Sequence, residues 1–365
     1  MNVKFAKRAA IIVGTASLSV AMVAGAAQAD PPAGVHRTLV AVGSDTTQDV
    51  LNGLGNTIAD PNPTGTSDGN LIASYDATGT TPIQTRDSGC SIARPDGSGA
   101  GVNALKADIA AGTHCIDFAR SSSAPNATGS LTFIPFALDG VTLAVGTGST
   151  LPANVTYTAG ATTNAAKAAS DLNRVYNCLD TAGNPLPAGT FPTINGITVH
   201  PLVPQAGSGT RKFWASTLGF NATTLPSCVS DVAKNGAAVQ EHNGNALQRT
   251  VAVDHAEDIM PFSIAQWIAQ SNHATTGVTD RRNGAVLENV NSVAPTTSGK
   301  LNTSFPITRE VYNVIPDSRI NETLIKNTFE TSTSKICKAT SVINLYGFGT
   351  DTNCGSIALS SRDLV

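Results

Sequence analysis

Three short Gly/Ser/Thr segments constrain this chain more than anything else in it. They read Gly43-Ser44-Asp45-Thr46-Thr47, Gly97-Ser98-Gly99-Ala100-Gly101 and Gly207-Ser208-Gly209-Thr210, and each precedes a stretch that can form a helix. A Gly/Ser turn opening a helix offers unpaired backbone N–H groups, small hydroxyls and the positive end of the helix dipole, which together suit an anion. Gly97–Gly101 is not a nucleotide P-loop, because no Lys-Ser or Lys-Thr pair stands at the required spacing, and its third glycine falls too early for a dinucleotide turn. What remains is a set of turns able to surround an oxyanion from several sides.

The rest of the chain provides a scaffold for such turns. Leu39–Val42, Leu71–Tyr75, Cys115–Ala119, Thr198–Val203 and Ile307–Ile315 are strand candidates. Thr47–Ile58, Val102–Ile109, Ala166–Cys178, Lys212–Leu218 and Asn321–Phe329 carry apolar residues at helical intervals. Phe133–Val145 is a long apolar stretch that Pro135 and Gly140 are expected to break. Strand, turn and helix alternate throughout, which indicates an α/β architecture. With 365 residues, 13% charged and 41% hydrophobic, the chain is globular and long enough for two domains.

The N-terminus reads as a secretory leader. Lys4, Lys7 and Arg8 precede the apolar run Ala9–Ala26, and Ala27-Gln28-Ala29 fits a cleavage site. Residues 1–29 are thus expected to be removed, leaving a secreted, extracellular or periplasmic chain that starts at Asp30. Loss of those three cations takes the formal net charge from −3 to −6. With no basic run, nucleic acid is excluded as a partner, and a bound anion must be held by local dipoles and a few side chains. An exported chain with six cysteines favours disulfides. Sequence permits many pairings; nearest neighbours, Cys90–Cys115, Cys178–Cys228 and Cys337–Cys354, are expected.

No metal or cofactor motif stands out. The six histidines form no short metal-binding pair, and Asp254-His255-Ala256-Glu257-Asp258 reads as a solvated acidic loop. A serine hydrolase would need Ser88 and His114 to meet, but their order is opposite to that of chymotrypsin-like enzymes, and no Gly-x-Ser-x-Gly elbow exists. The chain is expected not to be an enzyme.

With these segments placed, the chain resembles the phosphate-binding proteins of ABC transporters, within the type II periplasmic-binding-protein fold. Val42–Thr46, Gly97–Val102, Ile116–Ser122 and Gly207–Thr210 are similar to that family's four anion loops. Ile134–Val141 and Phe305–Thr308 are similar to its two crossings between lobes, and all six matches occur in the family's order. The resemblance implies a two-lobed α/β protein with the ligand cleft between lobes: residues 30–137 and 306–365 in one, 138–305 in the other. It implies a monomeric receptor, without cofactor, that passes inorganic phosphate or a related oxyanion to an ABC transporter permease. A binding-fold protein without a transport role is the alternative.

Site residues carried over from the resemblance are Ser44, Asp45 and Thr46, Ser98 and Gly99, Arg120–Ser123, and Ser208–Arg211. Amides near Thr46, Gly99 and Gly209 would donate, and Ser44, Thr46, Ser98, Ser122, Ser208 and Thr210 would add hydroxyls. Two departures stand out. The family's carboxylate in the third loop, which accepts a hydrogen bond from protonated phosphate, falls on Ser122 or Ser123, and its arginine before the fourth loop falls on Pro204, with Gln205 next. Arg120 or Arg211 are the candidate replacement cations, and Asp45 or Asp87 the candidate acceptors.

Overall fold

A computed structural model describes residues 30–247 and 256–365. The expected leader, and Asp254 and His255 of the acidic cluster, lie outside the described residues. The elements that position the site are, in chain order, β1 (Leu39–Gly43), α1 (Gln48–Gly55), β2 (Ile72–Ser74), α2 (Ser98–Ala111), β3 (Phe118–Ser121), β4 (Ala127–Val145), β5 (Ile197–Pro201), α3 (Gly209–Leu218), β6 (Glu257–Ser263), α4 (Ile264–Ser271) and β7 (Thr308–Pro316).

These strands hydrogen-bond in the order β2-β1-β3-β7-β4-β6-β5. β1 runs parallel to β2 and β3, whereas β7 is antiparallel to both β3 and β4. On the other side of β4, β6 is antiparallel to it and parallel to β5. β1 is buried along its whole length, which is why it reads as an uninterrupted apolar run instead of an alternating one.

β4 joins the two halves. Its residues Leu131–Gly140 pair with β7, and Val141–Val145 pair with β6, so one strand leaves the first α/β layer and enters the second. The expected break within Phe133–Val145 does not occur. Pro135 has no N–H to give, but the ladder shifts register there, between Val311 and Tyr312 of β7, so the bulge absorbs the missing donor. Gly140 is where α4 crosses: an added Cβ would sit 2.6 Å from Ile264 Cδ1.

Each half has its own core. Leu39, Leu51, Leu54, Phe118, Ile134 and Phe329 pack in the first, with Phe118 and Phe329 edge-to-face at 4.9 Å between centroids. Val141, Leu143, Tyr176, Trp214, Ile259 and Phe305 pack in the second, with Tyr176 and Trp214 edge-to-face at 5.6 Å. Helix α4 straddles the junction, giving Ala265 and Ala269 to the first core and Ile264 and Ile268 to the second.

The cysteines are bonded Cys90–Cys115, Cys178–Cys228 and Cys337–Cys354, the nearest-neighbour set, and no described cysteine is free. Cys178–Cys228 closes the longest loop, 50 residues. Chain-entropy arguments give such a crosslink about 4 kcal/mol. Replacing Cys178 and Cys228 together by serine should therefore cost about that much in denaturant unfolding of the second half; a loss below about 1 kcal/mol would remove the crosslink as a source of stability.

Candidate oxyanion site at the junction of the lobes

The three turns meet where the two halves touch. β1 ends at Gly43 with φ +115°, a conformation that suits glycine, and a Cβ there would lie 2.9 Å from the Arg120 carbonyl. This bend turns Ser44–Thr47 across the end of the sheet, and the Ser44 amide bonds the Arg120 carbonyl at 3.1 Å. Gly97 caps α2 with φ +100° and faces the Gly207 carbonyl, 2.7 Å from where its Cβ would be. Ser208 caps α3, its hydroxyl accepting from the Arg211 amide at 2.9 Å.

A chain of small hydroxyls runs through the junction. Ser122 Oγ lies 3.2 Å from Ser44 Oγ and 3.3 Å from Ser98 Oγ. Ser123 Oγ donates to the Gly209 carbonyl at 2.9 Å, and Thr46 Oγ1 lies 3.2 Å from Thr210 Oγ1. Gly209 must be glycine: an added Cβ would collide with both Ser98 Oγ and Ser122 Oγ. The Gly99 amide donates to Gly207 O at 3.0 Å, so it ties the two loops together.

The cation at the junction is neither of the two anticipated. Arg120 is fully buried beneath the first loop, donating to the carbonyls of Ala41, Gly43 and Ser44 and to Ser74 Oγ. It supports the turn from behind, so its assignment to the ligand is corrected. Arg211 points away from the junction, to the carbonyls of Pro204 and Ala222 and to Asp231 at 2.7 Å. Arg309 of β7 takes the place instead. Its Nη2 donates to Thr46 Oγ1 at 3.3 Å and to Thr210 Oγ1 at 3.0 Å, and its Nη1 donates to the Ser122 carbonyl at 3.1 Å. Asp139 of β4 holds it with two bonds, at 3.1 and 2.9 Å.

Two further residues at the junction lie in a stretch without a motif. Glu241 Oε2 accepts from Thr46 Oγ1 at 3.1 Å and from Thr210 Oγ1 at 3.2 Å, and lies 3.1 Å from His242 Nε2. Nη2 of Arg309 has two protons; one goes to Asp139 and the other is shared between the threonine hydroxyls, each of which has its own proton for the carboxylate, and Thr46 Oγ1 also lies 3.0 Å from His242 Nε2. His242 is oriented by the backbone: the Ser263 amide donates to Nδ1 at 3.2 Å, so Nδ1 bears a lone pair and Nε2 the proton. Burial opposes ionisation of Glu241. The hydrogen bond from His242 and the Arg309 guanidinium outweigh it and hold the carboxyl below the ordinary carboxylate range.

Asp45, Glu241 and His242 each place a possible metal-ligand atom within 4.8 Å of the others. The ring of His242 faces this group with its N–H, not with a lone pair. A metal-bound histidine has the reverse arrangement, giving its second N–H to an outer acceptor. The donor set fits an anion better than a cation.

The other expected residues fall outside the seat. Asp87 is on the surface, bonded to Thr66 and His36, and cannot serve as the acceptor. Ser121 folds back on its own loop, with Oγ donating to the Ser123 carbonyl and accepting from the Ser123 amide. Asp45 is buried beside the seat, 3.9 Å from Arg281 and 3.5 Å from Gln240 Nε2. Ser88 and His114 share no hydrogen bond among the described residues.

Burial, partly offset by Arg281, pushes Asp45 up to about 6, and burial with Asp49 nearby pushes Asp76 up to about 7. The folded chain therefore binds protons at these groups more tightly than the unfolded chain, and stability rises as pH falls through 7 and 6. Asp68 behaves oppositely: its hydrogen bond from Arg37 lowers it to about 2, so that contribution is lost as pH falls below 4 toward 2. Thermal midpoints should accordingly be higher at pH 5 than at pH 8, and Asp76→Asn with Asp45→Asn should flatten the difference. A midpoint that falls steadily from pH 8 to 5 would contradict this.

No protein-family model matches the chain, and no curated protein matches it. Solved structures similar to it include a putative phosphate ABC transporter substrate-binding protein with bound phosphate from Clostridium perfringens, at TM-score 0.48 and 14% identity, covering 86% of this chain and 99% of that one. An ABC-type phosphate transport receptor from Vibrio cholerae is similar at TM-score 0.46 and 15% identity, over 86% and 100%. So is an OxyR mutant from Corynebacterium glutamicum, at TM-score 0.43 and 12% identity, over 86% and 67%. The chain's own strand order is that of a mixed α/β protein whose two halves are joined through β4, which pairs antiparallel with β7 in the first half and with β6 in the second.

Proposed function

We propose that this chain is an exported solute-binding protein whose lobes close on an inorganic oxyanion, phosphate foremost, for delivery to an ABC transporter permease. One observation carries the reading: buried donors from both lobes, Thr46 on one side and Thr210 and His242 on the other, converge with Arg309 behind them on a single anionic oxygen. Charge-assisted hydrogen bonds in such a dry site are strong and directional, which is what oxyanion capture requires. The first-turn amides of α3 have no helix carbonyl to bond and add their dipole. Ser122 or Ser123 stands where the resembled family has a carboxylate in the third loop, so rejection of fully ionised sulfate does not come from that position.

Calorimetry of the mature chain with phosphate, sulfate and molybdate tests this. Saturable heat with phosphate is expected, with weaker heat for the others. No saturable heat for any of the three would overturn the reading.

A further inference from the structure

We infer that Glu241 is a built-in anion for this seat, so that an incoming oxyanion binds only by displacing its carboxylate. The inference rests on the oxyanion reading above only for the identity of the competitor; the occupancy of the seat by a carboxylate stands on geometry. Oxygen Oε2 takes the protons of Thr46 and Thr210 and faces the N–H of His242. Those are the donors that an external oxyanion at this junction would use. Glu241 is completely buried; its second oxygen, Oε1, accepts no short hydrogen bond, and the nearby Ser208 hydroxyl helps to hold the carboxyl ionised. A buried carboxylate oxygen without a short hydrogen bond is costly, so the chain spends stability to keep this charge where it is. The neighbouring Asp45 Oδ1 is also buried and without a hydrogen bond.

The arrangement also defines how displacement proceeds. Thr210 and His242 belong to the same lobe as Glu241, whereas Thr46 belongs to the other. Opening the cleft therefore removes one donor and leaves the carboxylate at the start of α3. Glu241 is ionised at neutral pH, so protonation does not release it. Ligand and carboxylate compete for the same hydroxyl protons, each of which can be given only once. This sets affinity by a difference between two anions, not by the donors alone.

Removing the charge separates this from a role for Glu241 as an acceptor of the ligand's own proton. In Glu241→Gln, which keeps the shape, phosphate should bind about tenfold tighter or more, the worth of at least one charge-assisted hydrogen bond no longer contested. In Glu241→Ala the thermal midpoint should drop; millimolar formate should restore it while leaving the wild-type midpoint unmoved, and phosphate should raise the Glu241→Ala midpoint by more than it raises that of wild type. Unchanged or weaker phosphate binding by Glu241→Gln, or a Glu241→Ala midpoint that neither anion raises, would overturn the inference. If formate rescues Glu241→Ala but phosphate neither rescues it nor binds wild type, the built-in anion stands and the phosphate reading falls.

Discussion

Replacing Arg309 by methionine should lower the stability of the folded chain by about 3–5 kcal/mol, because it removes the partner of a fully buried carboxylate. Asp139 would keep only the Ser263 hydroxyl, at 2.8 Å, and the Ala265 amide, at 3.2 Å, of its polar contacts. Thr46 and Thr210 would lose their shared donor, and the Ser122 carbonyl would lose its bond to the guanidinium. Since Asp139 is on the crossing strand and Arg309 on the returning one, the damage falls on the junction and not on either core. Denaturant unfolding measures the loss. Arg309→Lys keeps a charge but cannot form the fork to Asp139, so it should recover only part of it. A change below about 1 kcal/mol for Arg309→Met would mean that solvent reaches Asp139 and replaces the arginine.

Gly209→Ala should have the larger effect on binding and almost none on the second half's own stability. Gly209 opens α3, where alanine is the better helix former by roughly 0.5–1 kcal/mol, so its lobe should fold as well or better. The added methyl would collide with the hydroxyls of Ser98 and Ser122 on the facing lobe. Those hydroxyls are held in place, Ser98 Oγ by the Ser122 amide at 3.0 Å. The lobes must then stand further apart, which separates Thr46 from Thr210 and breaks up the seat. On the proposed function, oxyanion affinity should fall about a hundredfold, close to 2.7 kcal/mol, while small-angle scattering should show a more open molecule. An alanine variant with wild-type affinity and dimensions would show that the junction yields at little cost.

Much of the architecture was legible along the chain because it depends on near neighbours. The apolar run Leu39–Val42 reads as a buried strand, and Gly43, Gly97 and Ser208 mark the turns that end strands and begin helices. Pro135 misled because local rules break a strand at proline, whereas here the missing donor falls at a bulge that only the pairing with β7 creates. Arg120 and Arg211 misled for a related reason. A cation beside an anion loop looks available for the ligand, but carbonyl oxygens from residues scattered along the chain consume both guanidinium groups.

Arg309, Glu241 and His242 were missed together. Arg309 reads as one polar residue in a β-branched strand, and its partner Asp139 is 170 positions away. Glu241 meets Thr46 across a separation of 195 residues, and nothing in Gln240-Glu241-His242-Asn243 resembles a site motif. An adjacent Glu-His pair is the sole local trace, and such pairs are ordinary in surface loops.

The sequence by itself determined the three Gly/Ser/Thr turns, the alternating α/β scaffold and the pairing preference of the cysteines. Backbone freedom at glycine, helix capping and apolar periodicity act over a few residues and leave a visible pattern. Tertiary structure decided what fills the space between those turns. Which charge is satisfied by which partner is settled only when distant segments are desolvated against each other, and here that process set Arg309 behind the hydroxyls and Glu241 in front of them.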